Sequence, residues 1–211
     1  MVIQRTPNEL LSDRITMLIL FKALHELGFD TKRLKLEKLV YLGKVIGRIQ
    51  GERLTNQEFF VWHLGPFSKE VYADLESCVT HQWLTAISQD ESDELGQRSF
   101  AYTITTRGIA AADRAIEDGE FKTKHDIIVN LLQAIGPLST EQIRKLSYGD
   151  LDFRQAKERG KSTAIDPSFP ESLRLASLAK EVALREFGMK LSDEEAAFLY
   201  LKLVETLSVR D

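Results

Sequence analysis

Apolar and polar positions alternate along this chain with two different periods, and the change of period marks its elements. Over residues 9–27, Leu11, Ile15, Leu18 and Ile19 recur at helical spacing, and Gly28 supplies a stop. In the next run, RLKLEKLVYLGKVIGRIQG, one helical face collects Leu36, Leu39, Val40, Gly43, Ile46 and Gly47, and Gly51 ends it. The aromatic, β-branched stretch EFFVWHL, 58–64, reads as a short strand that Gly65-Pro66 breaks. Ser68 then caps a helix over about 69–81 that turns Val71, Leu75 and Cys78 or Val79 inward. WLTAISQ, 83–89, and SFAYTITT, 99–106, read as two strands, the second with Phe100, Tyr102 and Ile104 on one side; the polar segment between them suits a hairpin loop. Thr105 or Thr106 caps a helix running to about Asp118.

The second half is helical. DIIVNLLQAI, 126–135, is followed by Ser139 and Gln142, a capping box for a helix over about 140–148. Residues 149–170 lack a clear period and read as a long loop with at most a short helical turn. Helices return over 171–187 and, behind a second capping box at Ser192 and Glu195, over the last stretch. The order helix, helix, short strand, helix, strand, loop, strand predicts a mainly α fold with a small β-hairpin (α+β). It divides into a winged-helix-like domain over 1–120 and a helical C-terminal extension over 121–211.

Composition narrows the function classes. Hydrophobic residues make up 43% of the 211, enough for a sizeable core, yet no apolar run reaches membrane-spanning length. Asp13 and Arg14 interrupt the apolar start, which argues against a secretory signal. A cytoplasmic protein without a membrane partner is the expectation. The single cysteine, Cys78, excludes an intramolecular disulfide and a Cys-based zinc finger. A net charge of −4 argues against strong non-specific nucleic-acid binding. The charge is uneven, however. Residues 32–53 hold seven basic and two acidic side chains, residues 154–161 hold four and one, and DESDEL, 90–95, carries four acids.

Candidate chemistry is sparse. His25, His63, His81 and His125 lack metal-ligand spacing, so neither a metal nor a cofactor is expected. His63, Ser68 and Asp74 follow one another, but nothing in their spacing makes a triad, and Ser68 reads as a cap. Cys78, on the face of Val71 and Leu75, reads as a buried thiol. For nucleic acid, the helix after the first strand offers Lys69 but also Glu70, Asp74 and Glu76. The candidate phosphate contacts are therefore Lys35, Lys38, Lys44 and Arg48 in the second helix, with Lys157, Arg159 and Lys161. Positions 196–204 are apolar except Lys202, and this makes Phe198, Tyr200 and Leu201 the candidate interface for a protein partner, a toxin or a second copy.

The segment KLEKLVYLGKVIGRIQGERLTNQEFFVWHLGPFSKEVYADLE, 35–76, resembles the Panacea domain of SocA-like antitoxins and the related YwgA-like bacterial proteins. The pattern falls on Lys35, Leu36, Lys38, Leu39 and Tyr41, then Trp62, Gly65, Pro66 and Tyr72, with Phe67 and Ser68 matching the YwgA-like version. YTITTRG, 102–108, resembles the ending after the wing of many winged-helix regulators. The resemblance implies a regulator that neutralises a toxin by binding it, in some members by delivering it to a protease; the absence of any compact catalytic motif makes a non-enzymatic protein the expectation over an enzyme with an unrecognised site. The alternative is a winged-helix DNA-binding regulator in phage defence or mobile-element control. It also implies that Trp62, Gly65, Pro66, Ser68 and Tyr72 form a fold-defining corner, closed by packing of Trp62 with Tyr72.

Overall fold

Thr6 and Glu9 bond each other's backbone N–H groups and start the first helix with Pro7 in its first turn, as their spacing demands. A computed structural model of the protein describes residues 5–92 and 98–208. Much of DESDEL, and the tip of the hairpin expected there, lie outside the described residues. The described chain is mainly helical with two small antiparallel hairpins. In order these are α1 (Pro7–Leu27), α2 (Arg33–Ile49), β1 (Phe60–Trp62), β2 (Gly65–Phe67), α3 (Lys69–Thr80), β3 (Leu84–Ser92), β4 (Arg98–Ile104), α4 (Thr106–Glu117), α5 (Lys122–Ile135), α6 (Thr140–Gly149), α7 (Leu151–Glu158), α8 (Pro170–Phe187) and α9 (Asp193–Ser208). Among the described residues no helix is long and apolar enough to cross a membrane.

The winged-helix-like order is present, with one rearrangement. The strand that joins the β3–β4 wing is not the aromatic run but the short link before α2, where Lys32 bridges to Ala101 and the Tyr102 N–H donates to the Thr31 carbonyl. The aromatic run pairs instead with the Gly-Pro segment expected to break it: Phe60 faces Phe67, Val61 faces Pro66 and Trp62 faces Gly65. The chain turns at His63-Leu64. Proline is tolerated because Val61 and Pro66 form a non-hydrogen-bonded pair. Val61 sends its N–H and C=O outward to Thr163 and Ser162, and the Pro66 carbonyl points outward too. No ladder donor is missed.

The expected loop over 149–170 contains α7, whose first turn is capped by Asp150 through the Phe153 N–H at 2.8 Å. Helix α2 is buried on nearly every side, because α5, α6, α8 and α9 pack around it from one half of the chain and β2 and β4 from the other. The buried apolar side chains, from Met17 in α1 to Val204 in α9, form one continuous core. Gly47 lets the 52–54 segment cross α2; a Cβ there would stand 2.7 Å from Leu54.

Candidate functional site

Helix α2 carries the residues that hold the corner. Lys38 donates to the Pro66 carbonyl at 2.6 Å and to Glu37 at 2.8 Å, and the Ser68 N–H donates to Glu37 at 3.0 Å. Lys38 and Glu37 are completely buried, an ion pair closed inside the protein and satisfied by backbone groups of the corner. Burial holds Lys38 below the usual lysine range, opposed by the Glu37 charge. Gly65 has φ +97°, and a Cβ on it would meet Ser147 Oγ at 3.2 Å and Lys38 Cε at 3.4 Å. The glycine thus serves both the turn and the close approach of the hairpin to α2 and α6. Ser68 is buried and caps α3 by accepting from Val71 at 3.4 Å.

The other motif residues of α2 act in the same way. Lys35 donates to the Gly136 carbonyl behind α5 and to Asp30, each at 2.9 Å. Lys44 donates to the Gln57 carbonyl, and burial lowers its ammonium to about 8. Tyr41 donates to Asp150, whose carboxylate also receives the hydroxyl of Tyr200, while the Ser172 hydroxyl donates to the neighbouring Asp152 at 2.5 Å. Asp152, buried beside it, accepts the N–H groups of Glu171 and Ser172 and so caps α8 from a distance. Burial raises the carboxyl of Asp150 and the hydroxyls of Tyr41 and Tyr200 alike, which keeps both phenols protonated as donors. This hub joins α2, α7, α8 and α9.

Of the phosphate contacts expected from the sequence, Lys35, Lys38 and Lys44 are therefore buried and their ammonium groups committed to the fold. Arg48 is exposed. Lys157, Arg159 and Lys161 are exposed together at the end of α7, with Lys157 lying 5.5 Å above the Tyr148 ring. The expected partner stripe divides as well. Tyr200 and Leu201 are core residues, 2% and 5% exposed, while Phe198 is at the surface. The larger apolar surface lies where the sequence did not point to it, on the last turns of α8 and the link to α9. Leu184, Phe187 and Met189 are 58%, 72% and 56% exposed. These last turns of α8 carry no buried residue.

Trp62 and Tyr72 do not meet directly; Phe67 stands between them, with ring centres 5.6 Å from Trp62 and 5.5 Å from Tyr72. Ser68, His63 and Asp74 do not form a catalytic group: Ser68 is spent as a cap, and Asp74 is held by Arg5 at 2.7 Å, Gln57 at 2.7 Å and Arg14 at 3.4 Å. Burial pushes the Cys78 thiol up to about 12. Among the described residues no group of three or more His, Cys, Asp or Glu is placed to hold a metal ion. No protein-family model matches the chain, and no curated protein shows significant similarity to it.

Proposed function

We propose that this chain is a non-enzymatic, antitoxin-like regulatory protein that acts by binding another protein, and that the tip of the α8–α9 hairpin carries the contact. The observation behind this reading is the cluster Leu184, Phe187 and Met189, three large apolar side chains adjacent in one exposed segment. Contiguous exposed apolar surface of this kind marks interaction sites, and scattered single residues do not. Desolvating Phe187 alone contributes about 1.5–3 kcal/mol. The resemblance of residues 35–76 to SocA-like antitoxins points the same way. The DNA-reading alternative is weakened by α3, where Lys69 is the only cation and Glu76 shares the exposed face.

The test is Phe187→Asp in the full chain, purified from its native host under mild conditions and sized by light scattering. The wild type is expected to carry a stoichiometric protein partner, or a second copy of itself, that the variant loses while keeping its circular dichroism and melting temperature. A monomeric wild type, or a partner retained by both Phe187→Asp and Leu184→Asp, overturns the reading.

A further inference from the structure

The exposed side of the corner has a second character. Trp62 is 42% exposed although it closes a hairpin, and it begins a row of rings. His63 lies 5.2 Å from it on one side and Phe67 5.6 Å on the other, followed by Tyr72 at 5.5 Å. The guanidinium of Arg33 lies over Tyr72 at 4.6 Å and within 6.0 Å of Phe100 on the wing. The core does not require Trp62: Val61, its neighbour in β1, points inward and is 3% exposed.

Positive charge is brought to the Trp62 end of this row by backbone pairing. Ser162 and Thr163 bond Val61 at 2.9 and 2.8 Å, which sets the segment 159–161 that follows α7 against the hairpin. Tyr148 ties the same end by donating to the His63 carbonyl, and Lys157 covers the Tyr148 ring. Lys157, Arg159 and Lys161 are exposed there; Glu158 lies among them in the chain and Asp166 is close enough to feel the charge of Arg159, which leaves the cluster net positive. Stacking rings with flanking cations match the alternation of base and phosphate in a single strand. A duplex hides its base faces and presents nothing for Trp62 to stack on. The acidic balance of the whole chain argues for a local contact and not for a general affinity for polyanions.

We propose that the Trp62–Phe67–Tyr72 row, with Arg33 at one end and Lys157, Arg159 and Lys161 at the other, binds single-stranded nucleic acid. The stacking face is Trp62, and the lysines and arginines hold the backbone.

Fluorescence anisotropy of a dye-labelled oligothymidylate and an oligouridylate, each about a dozen nucleotides long, tests this on the full chain, with a duplex of equal length beside them. Saturable binding of a single strand is expected, with weaker binding of the duplex. Trp62→Ala is expected to weaken it about tenfold or more, and Trp62→Phe much less, since phenylalanine also stacks. Reversing charge at Lys157 and Lys161 together is expected to flatten the dependence of log K on log salt by about 1.4, close to 0.7 for each cation. Unchanged melting temperatures show that none of the three variants acts through folding. The proposal is overturned by no saturable binding at low salt, by preference for the duplex, or by binding that survives Trp62→Ala in a folded protein.

Discussion

Replacing Tyr41 by phenylalanine removes one oxygen from the centre of the molecule and little else. The ring is retained, and with it the edge contacts to Phe59 at 5.2 Å and Phe169 at 5.9 Å. What is lost is a donor to the fully buried carboxylate of Asp150, which keeps the Phe153 N–H and the hydroxyl of Tyr200. A hydrogen bond to a charged group contributes about 1.5–3 kcal/mol, and because Asp150 keeps other donors the expected cost is about 2 kcal/mol. In urea, with a slope of about 2–3 kcal/mol per M, the midpoint should fall by about 0.7–1 M with the slope unchanged. Tyr200→Phe should cost a similar amount, and the two should couple by about 0.5 kcal/mol or more because they share one acceptor. A Tyr41→Phe midpoint equal to the wild type's, together with lost partner binding, would refute the assignment of this motif tyrosine to the scaffold.

Two further outcomes follow from the buried groups of α2 and the corner. Lys44 has its ammonium lowered to about 8 from 10.5, so below pH 8 the folded state carries the full cost of a buried charge. Between about pH 8 and 10.5 the unfolded chain binds the extra proton and stability rises with pH. Lys44→Met should therefore be more stable than the wild type by about 3 kcal/mol near neutrality, less the lost bond to Gln57, and the gap measured by urea unfolding should close toward pH 10.5. A gap independent of pH would exclude this cause. Gly65→Val should destabilise by about 3 kcal/mol or more, since a β-branched side chain at φ +97° is strained and its Cβ meets Ser147 and Lys38; a thermal melt within a degree or so of wild type would contradict that geometry.

What the sequence made legible was local. Each expected cap at Ser68, Thr105, Ser139 and Ser192 is a bond between residues three apart, and all four are present. What it hid was long-range. The lysines of α2 look solvated on a helical wheel, yet Lys38 is answered by a carbonyl 28 residues away and Lys35 by one 101 residues away. Helix α7 has a weak apolar pattern, and its capping Asp150 is fixed by Tyr41 and Tyr200, far apart in the chain. In α9 the apolar positions surround the helix, and only the packed positions of α2, α6 and α8 decide that Tyr200 is inside and Phe198 outside. Nothing in the sequence sets Phe187 apart, because its helix has ordinary amphipathic spacing. It is exposed because the body of the protein ends before the helix does.

The corner GPFS can be both a fold element and a surface, since its two sides use different atoms. Its inner side is main chain: the Pro66 carbonyl and the Ser68 N–H are gripped by Lys38 and Glu37, and Gly65 leaves the room. Its outer side is side chain: Trp62 and Phe67 project from strands whose positions the inner grip already fixes. Backbone bonds place the rings, so the rings can be exchanged without loss of the hairpin. That division is what a binding surface on a rigid support requires. The pattern of Lys35, Leu36, Lys38, Leu39 and Tyr41 thus specifies how the hairpin is held, and under the two proposals the choice of partner falls to Trp62, the end of α7 and the tip of α8. Chains that share the pattern with other residues at those three places would be expected to share this scaffold and differ in partner.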